Sequence, residues 1–155
     1  MKYVCFMASP IGQIGIAQEG EWITNLFFGG TVQPEAFEIK ETPLLIHAIA
    51  QLKEYFSGIR TSFSLPLQPR GSEFELAVWQ ELQKIPYGET RSYKEIAVQL
   101  GKPSSSRAVG RANSKNPISI IIPCHRVIGT NGKLTGYAGG LSAKEYLLGF
   151  EKSRG

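Results

Sequence analysis

Cysteine is scarce in this 155-residue chain, and aspartate does not occur at all. The two cysteines, Cys5 and Cys124, lie far apart and outside any CxxC or paired Cys/His spacing. This placement argues against a disulfide framework and a structural zinc site, and it favours a reducing compartment. Because aspartate is absent, every carboxylate side chain in the protein is one of its 13 glutamates.

Long apolar runs are absent as well. The sequence has no stretch of about 18 apolar residues, and the apolar run that follows Met1 and Lys2 is too short for a signal peptide. We therefore expect a cytoplasmic protein with no membrane partner. At 155 residues the chain can bury a core without metal or disulfides, as one domain or two small ones.

The net charge of +4 is unevenly distributed along the chain. Residues 1–70 carry five Lys/Arg against six Glu, whereas residues 71–155 carry twelve against seven, so the two parts are −1 and +5. A basic second part suggests a polyanionic partner. At this modest excess of positive charge, an ordinary solvated surface explains the charge nearly as well. The positions of the basic residues must decide between the two explanations.

The first part has a strand-rich pattern followed by one helix. Residues 2–7, 13–18 and 22–28 read as three short strands separated by turns. Pro43 to about Ser57 has apolar residues at spacings of three and four, which predict a helix. Its predicted apolar stripe is Leu45, Ile49, Leu52 and Phe56. Residues 59–71 lack a period and predict a linker, so we place the domain boundary there.

The second part contains a helix-turn-helix pattern. A first amphipathic helix covers 72–82, with Trp79 interpreted as core. Ser92 and Glu95 then fit a capping box, and a second start follows Gly101. Two short helices joined by a turn that contains glycine are typical of a helix-turn-helix. In the second of these helices, positions i, i+4 and i+8 are basic, and small residues separate them; the basic residues are Arg107, Arg111 and Lys115.

A branched apolar run then ends in a reactive pair. Residues 118–122 are nearly all isoleucine, which favours a short strand buried on both faces, and Pro123 should stop this strand and present Cys124 at its end. Cys124 beside His125 is a candidate activated nucleophile. The alternative is a small buried hydrophobic residue, which is the commonest role of a free cysteine.

Three further segments follow the Cys-His pair. Asn131-Gly132 carries a hairpin signal, and residues 134–140 form a glycine-rich loop with one aromatic residue. A last helix is predicted to begin at Ser142 and to run to Glu151.

Several motifs of the second part occur together in a fixed order. They are Arg107-Ala108-Val109-Gly110, Asn116-Pro117, Pro123-Cys124-His125-Arg126-Val127, Gly136-Tyr137 and Gly139-Gly140-Leu141. Over roughly residues 71–151 they resemble the O6-alkylguanine-DNA alkyltransferases, also called methylated-DNA-protein-cysteine methyltransferases. Residues 1–70 match only the general layout of that family's N-terminal domain.

The resemblance implies an α+β fold in two domains. A small ribonuclease-H-like domain of sheet and helix would occupy residues 1–70. A mainly helical domain with the helix-turn-helix, which binds DNA and accepts the alkyl group, would occupy residues 71–155. Some relatives bind zinc in the first domain through cysteines and histidines. Since this chain keeps only Cys5 there, we predict no zinc, and we expect no other cofactor.

The implied activity is DNA repair by direct transfer of an alkyl group from O6-alkylguanine, and also from O4-alkylthymine, to Cys124. Each protein molecule would act once, as a monomer on double-stranded DNA. His125 would act as a base that Glu151 orients, with a water between His125 and Cys124, because neighbours in an extended segment point opposite ways. Tyr93 would donate a proton to N3 of the leaving guanine.

The resemblance also assigns positioning and binding roles. Asn116 would tie the helix-turn-helix to the cysteine segment, and the carbonyls of Cys124 and Val127 would read the exocyclic amine of guanine. Arg107 would replace the extruded base, with its helix in the minor groove. The DNA-binding set is Ser92, Arg107, Ala108, Gly110, Arg111 and Lys115, and the pocket set is Val127, Tyr137 and Ala138. Ala138 stands where many relatives have a serine, so only its backbone N–H can serve O6.

Three rival functions remain at this point. A helix-turn-helix transcription regulator leaves the Cys-His pair without a role. A protein that binds lesions without transfer would lack Cys124, which is present here. A cysteine hydrolase would need turnover and an oxyanion hole, and it would not need the basic helix.

Overall fold

The computed structural model describes residues 1–29, 36–132, 134, 136–137 and 139–154. It divides the chain into two compact units, Met1–Arg70 and Gly71–Gly155. Each unit has its own buried apolar core, so the two are described separately.

The first unit contains the three predicted strands, of which the first two are slightly longer than predicted and the third has the predicted bounds. They are β1 (Lys2–Ser9), β2 (Gly12–Glu19) and β3 (Trp22–Phe28), and they pair antiparallel in sequence order. A fourth strand, β4 (Glu38–Ile39), runs parallel to β1, so the sheet order is β3-β2-β1-β4. The sequence did not predict β4, because two exposed residues carry no alternation of apolar and polar side chains.

The predicted helix of the first unit is α1 (Pro43–Phe56). Thr42 caps it by accepting a hydrogen bond from the Leu45 amide, and proline at the first position suits a helix start. The buried stripe is Leu45, Ala48, Leu52 and Tyr55, whereas Ile49 and Phe56 of the predicted stripe are only half-buried. This stripe faces β1 and β2 and closes the core of the first unit.

The second unit has the predicted helix-turn-helix. It begins with α2 (Glu73–Leu82), followed by β5 (Arg91–Ser92), α3 (Tyr93–Gln99) and α4 (Ser106–Ser114). The capping box is present, since Ser92 Oγ accepts from the Glu95 amide at 3.0 Å and Glu95 Oε1 accepts from the Ser92 amide at 2.9 Å. Gly101 follows α3 with a φ of 73°, a left-handed conformation that favours glycine.

The core prediction for Trp79 is confirmed. Its side chain is buried, and its indole N–H donates to the Ala112 carbonyl at 2.8 Å. This bond joins α2 to α4, so the first helix of the unit fixes the position of the basic helix.

The predicted strand at 118–122 is wrong, although its burial is right. Residues Ile118 to Ile122 are all buried, but they form successive turns, with Ile122 N–H bonded to the Ile118 carbonyl and Ile121 N–H to the Ser119 carbonyl. Ile120 even adopts a φ of 74°. Cys124 therefore does not end a strand; it begins a short 3₁₀ helix, Cys124–Arg126.

The chain after the 3₁₀ helix is β6 (Val127–Ile128), which pairs parallel with β5. The Asn-Gly signal is right for a turn, since the Gly132 N–H donates to the Gly129 carbonyl at 2.9 Å. It is wrong for a hairpin within the described residues, where no strand follows this turn; Lys133 and Thr135 lie outside them. The last helix, α5 (Leu141–Arg154), begins one residue before its predicted start.

Two features are absent from the described residues. No helix in this part of the chain is long and apolar enough to cross a membrane. Within the same ranges, no group of three or more His, Cys, Asp or Glu side chains is arranged to hold a metal ion.

Candidate active site

Cys124 lies at the first position of the 3₁₀ helix and is only 3% exposed. Its amide donates to the Ile122 carbonyl at 2.8 Å, so the turns of the isoleucine segment set its position. The thiol points to the Ser119 hydroxyl, with Sγ and Oγ 3.9 Å apart. The sulfur is therefore a buried group with a polar neighbour.

Burial is the largest influence on this thiol, and it raises the pKa of Cys124 above the ordinary value. Hydrogen bonds from the side chains of Asn116 and Ser119 and the positive charge of Lys144 lower the pKa in part. Since the thiolate is the nucleophile, these three groups are the ones that favour the reactive form.

His125 and Glu151 form the predicted pair, and Arg126 completes it. His125 Nε2 is 2.7 Å from Glu151 Oε2. Arg126 binds the same carboxylate through two nitrogens, Nε to Oε1 at 2.7 Å and Nη2 to Oε2 at 3.0 Å. A third Arg126 nitrogen, Nη1, donates to the Ile85 carbonyl at 2.8 Å. All three side chains are buried, so the network is rigid.

The charges in this network decide the state of the histidine. Burial alone raises the pKa of Glu151, but hydrogen bonds from His125 and Arg126 outweigh it and bring the pKa down to about 2. Burial lowers the pKa of His125, and the Glu151 carboxylate opposes this effect only in part. An ionised Glu151 thus accepts from Nε2–H of a neutral imidazole, which leaves Nδ1 as the basic nitrogen.

The free side of His125 is suited to a proton transfer. Nδ1 is buried, and it has no hydrogen-bond partner among the described residues. Sγ of Cys124 is directed to Ser119 and not to the imidazole. The predicted absence of a direct Cys124-His125 bond thus fits the geometry, although its stated reason, an extended segment, was wrong.

Two asparagines hold the cysteine segment. Asn116 Nδ2 donates to the Ile122 carbonyl at 2.7 Å, and Asn116 Oδ1 accepts from the Ile118 amide at 3.0 Å. Asn113 Nδ2 donates to the Cys124 carbonyl at 3.3 Å, and that carbonyl also accepts from the Val127 amide. Both lone pairs of the Cys124 carbonyl are therefore engaged, so reading a base amine would require one of these donors to move.

A groove of about 680 Å³ lies along α4 in the second unit. Its lining combines the basic helix with the turn after β6 and comprises Tyr93, Ser106, Arg107, Gly110, Arg111, Ser114, Gly129, Thr130, Asn131 and Gly136. Arg107, Arg111 and Lys115 are all exposed, as their spacing predicts, while Ala108 is half-buried. Lys115 follows the end of α4 and does not line the groove.

The other predicted residues lie around the same segment. Ser92 and Tyr93 are brought beside it because β5 pairs with β6, which directly follows the 3₁₀ helix. The Val127 carbonyl accepts from Lys144 Nζ at 2.7 Å. Burial raises the pKa of Tyr137 well above its ordinary value, and the negative charges of Cys124 and Glu151 add to this effect. Ala138 lies outside the described residues.

Comparison with known proteins identifies the family. A family model described as the 6-O-methylguanine DNA methyltransferase DNA binding domain matches residues 73–153, and the ribonuclease-like domain of the same family matches residues 2–69. The chain belongs to the 6-O-methylguanine DNA methyltransferase family. The predicted resemblance and the predicted α+β fold are therefore confirmed.

Full-length relatives agree with this membership. The methylated-DNA–protein-cysteine methyltransferase of Methanosarcina barkeri is 51% identical over 97% of this chain and 98% of its own length. The crystal structure of the Mycobacterium tuberculosis O6-methylguanine methyltransferase is similar with a TM-score of 0.92 and 47% identity, covering 100% of this chain and 95% of that one. The crystal structure of M. tuberculosis OGT in complex with DNA is similar with a TM-score of 0.91 and 47% identity, covering 98% of this chain and 94% of that one.

Four buried polar residues of this methyltransferase-family chain were missed by the sequence analysis: Asn113, Ser119, Arg126 and Lys144. A signal existed for Lys144, because it lies seven residues before Glu151 and three before Leu147, on the buried side of α5. Ser119 had no such signal, because its position depends on the turns that were mistaken for a strand.

Proposed function

We propose that this protein repairs DNA by moving an alkyl group from O6 of a guanine in double-stranded DNA to Sγ of Cys124. As a methylated-DNA–protein-cysteine methyltransferase it would use no cofactor. The observation that carries the proposal is the buried Cys124 beside the His125–Glu151–Arg126 network, in a chain that matches this family from end to end.

The proposed reaction begins with the loss of the thiol proton toward Nδ1 of His125, through a water molecule. The thiolate attacks the alkyl carbon, an S–C bond forms, and the bond from carbon to O6 breaks with its electron pair on the guanine. A proton from Tyr93 to N3 would neutralise the leaving base. The position of Tyr93 in the groove, beside the segment that carries the cysteine, supports this role.

Duplex DNA would occupy the groove along α4, with the helix in the minor groove and the target base extruded. The exposed Arg107 and Arg111 support contact with phosphates and with the vacancy left by the base. Folding alone does not explain Gly110, because a Cβ there would meet the Tyr93 ring at an ordinary 3.8 Å. Close approach of the minor-groove wall of the DNA to α4 explains this glycine better than packing within the free protein does.

The remaining finer predictions stay proposals. They are action on O4-alkylthymine, a monomeric state, a cytoplasmic location, and one transfer per chain, since a thioether carbon is saturated and its thiolate a poor leaving group toward water. The Cys5 thiol, in the first unit, is already bonded to the Lys40 carbonyl.

The deciding experiment measures intact mass after incubation with duplex DNA that contains O6-methylguanine. We expect one added methyl group per chain, no addition in Cys124→Ala, and normal addition in the matched control Cys5→Ala. DNA binding should persist in Cys124→Ala. A methyl group on Cys5, or binding without any mass change, would support a misassigned site or a lesion-binding protein instead.

Base extrusion has a separate test in Arg107→Ala. Because the arginine would hold an extruded base and take no part in bond formation, we expect a large loss of repair in duplexes and little loss with free O6-benzylguanine. The two rates are compared in parallel. Equal losses on both substrates would place Arg107 in the chemistry or in folding.

A further inference from the structure

The sulfur of Cys124 has a hydroxyl neighbour that the proposed reaction has not yet used. Ser119 lies five residues before the cysteine, in the turns of the isoleucine segment, and is 2% exposed. Its Oγ is 3.9 Å from Sγ, within hydrogen-bond reach for sulfur. No other hydrogen bond to the Ser119 hydroxyl is found in the described part of the chain.

The Ser119 hydroxyl can either accept a hydrogen bond from the sulfur or donate one to it. The thiol now donates to Oγ, so the hydroxyl acts as the acceptor. A thiolate has no proton to give and needs donors, and a serine hydroxyl meets this need by rotating about its C–O bond. Asn116 also bonds the sulfur, but its carboxamide is fixed in orientation, because one N–H donates to the Ile122 carbonyl and its oxygen accepts from the Ile118 amide.

The charged and titratable groups near the sulfur come from three segments. Lys144 of α5 contributes a positive charge, and the negative charge of Cys124 helps to raise the pKa of Tyr137 in the glycine-rich loop. His125 follows in the 3₁₀ helix with its partners Glu151 and Arg126. Lys144 is bonded to the Val127 carbonyl and His125 to Glu151, whereas the hydroxyl of Ser119 is directed at the sulfur.

We propose that Ser119 is a catalytic residue whose hydroxyl accepts from the resting thiol, donates to the thiolate during transfer, and loses its partner once the sulfur is alkylated. The proposal rests on the proposed transfer to Cys124. The hydroxyl keeps its own proton throughout: the thiol proton passes to His125, the S–C bond forms as the C–O6 bond breaks, and the guanine takes its proton from Tyr93. The proton held by His125 then returns Tyr93 to its neutral form, so the sum is the thiol proton exchanged for the alkyl group.

The alkylated state should differ from the resting state in this one bond. A thioether cannot donate, and it accepts only weakly. The Ser119 hydroxyl is then a buried polar group without a good partner, which is unfavourable in a protein interior. The hydroxyl thus favours the reactive thiolate before transfer and disfavours the folded state after it.

The first test compares Ser119→Ala with two controls, Ser119→Thr and Ile118→Val. The pH dependence of Cys124 reactivity is measured with free O6-benzylguanine, so that DNA binding plays no part. In Ser119→Ala we expect the rate near pH 7 to fall about tenfold and the midpoint of the rate profile to move up by about one pH unit, with recovery at high pH. Ser119→Thr keeps the hydroxyl and should keep the midpoint.

Ile118→Val controls for packing, because it shortens a buried side chain in the same turns and removes no donor. It should lower thermal stability and leave the midpoint unchanged. A folded Ser119→Ala protein with the wild-type midpoint overturns the proposal. So does an Ile118→Val protein whose midpoint shifts as far as that of Ser119→Ala.

A second measurement separates this proposal from the proposed function. The ultraviolet absorbance of the thiolate gives the titration midpoint of Cys124 without any substrate, with Cys124→Ala as the blank. An upward shift in Ser119→Ala supports the hydrogen bond even if the wild-type protein accepts no alkyl group, and an unshifted midpoint overturns it.

Where methylation occurs, the melting temperatures of methylated and unmodified protein are compared. The drop on methylation should be smaller in Ser119→Ala than in wild type, because no hydroxyl is left unpaired. An equal drop in both proteins contradicts the proposal.

Discussion

Two isoleucine-rich segments of this protein are equally buried and have different backbones. In β2, Ile14 and Ile16 lie in a regular strand whose amides and carbonyls pair with β1 and β3. Between Ile118 and Ile122 the backbone turns on itself, and the Asn116 side chain bonds both ends of this turn. Composition determines that both segments are buried; the partners of the backbone polar groups determine their shape.

The comparison explains how the active-site segment differs from an ordinary core. In the sheet, each side chain can change without removing a backbone partner. In the cysteine segment, the Asn116 carboxamide satisfies a buried carbonyl and a buried amide at once, so a change at this residue removes two backbone partners. The following predictions test this difference, from the largest expected effect to the smallest.

The largest effect is expected for Asn116→Ala. It leaves the Ile122 carbonyl and the Ile118 amide buried without their partners, which should cost about 2–6 kcal/mol of stability, since each unsatisfied group costs about 1–3 kcal/mol. Alkyl transfer should also fall sharply, because Cys124 is bonded to Ile122. Chemical denaturation and the transfer rate measure the two effects.

The matched control for Asn116 is Asn25→Ala in β3. That strand pairs with β2 through backbone groups, so we expect a change within about 0.5 kcal/mol, as for an ordinary surface substitution. Similar losses at both asparagines would contradict the contrast between the two segments.

The next effect is a difference in acid sensitivity: lowering the pH should destabilise the second unit more than the first. The described buried residues of 1–70 include no charged side chain, whereas those of 71–155 include His125, Arg126, Lys144 and Glu151. The folded pKa of His125 lies below its ordinary 6.5, so the unfolded chain binds the proton first and stability is lost as pH falls below about 6.5. The loss is about 1.4 kcal/mol for each pH unit until the folded pKa is reached.

Glu151 adds to the same trend at lower pH. Its carboxyl has a pKa of about 2 in the folded protein against an ordinary 4.5, so its stabilisation is complete above 4.5 and lost as pH falls toward 2. Hydrogen exchange measured by mass spectrometry at pH 7 and pH 5 should show residues 71–154 losing protection before residues 1–29 and 36–70. Loss in the reverse order would contradict this assignment.

The smallest effect is expected at Ile120, where glycine should be more stable than alanine, the opposite of the order expected in a strand. At its φ of 74°, alanine retains a strained left-handed backbone that glycine relieves, so Ile120→Gly should be about 1 kcal/mol more stable than Ile120→Ala. At Ile16 in β2 the order should reverse, with alanine about 0.5–1 kcal/mol better. The denaturation midpoints of the four variants measure these differences in stability. If alanine is more stable than glycine at both sites, Ile120 is not strained.

The same comparison shows what the sequence can predict. Local patterns that depend on a few neighbouring side chains were sufficient for β1 to β3, for α1 and for the Ser92/Glu95 capping box. A short apolar run does not distinguish a strand from a buried turn, because both hide the same side chains. Only the structure shows that Asn116, through its bonds to Ile118 and Ile122, takes the place of a neighbouring strand.

The candidate site divides in the same way. Cys124, His125 and Glu151 follow from motifs, and their proximity to one another is visible only in the structure. Arg126 follows the histidine in the sequence, but no role was predicted for it. Its bonds to Glu151 and to the Ile85 carbonyl join residues that are 25 and 41 positions apart in the chain. Long-range pairs of this kind carry no local period.

The burial of Cys124 has a consequence for how long the protein stays usable. Peroxides, metal ions and disulfides react with exposed thiolates, and this sulfur is both enclosed and held largely as the thiol by its raised pKa. With one transfer per chain, every such side reaction would consume a molecule before it met a lesion. The enclosure of this sulfur therefore preserves the repair capacity of the whole protein population, at the expense of a slower intrinsic reaction.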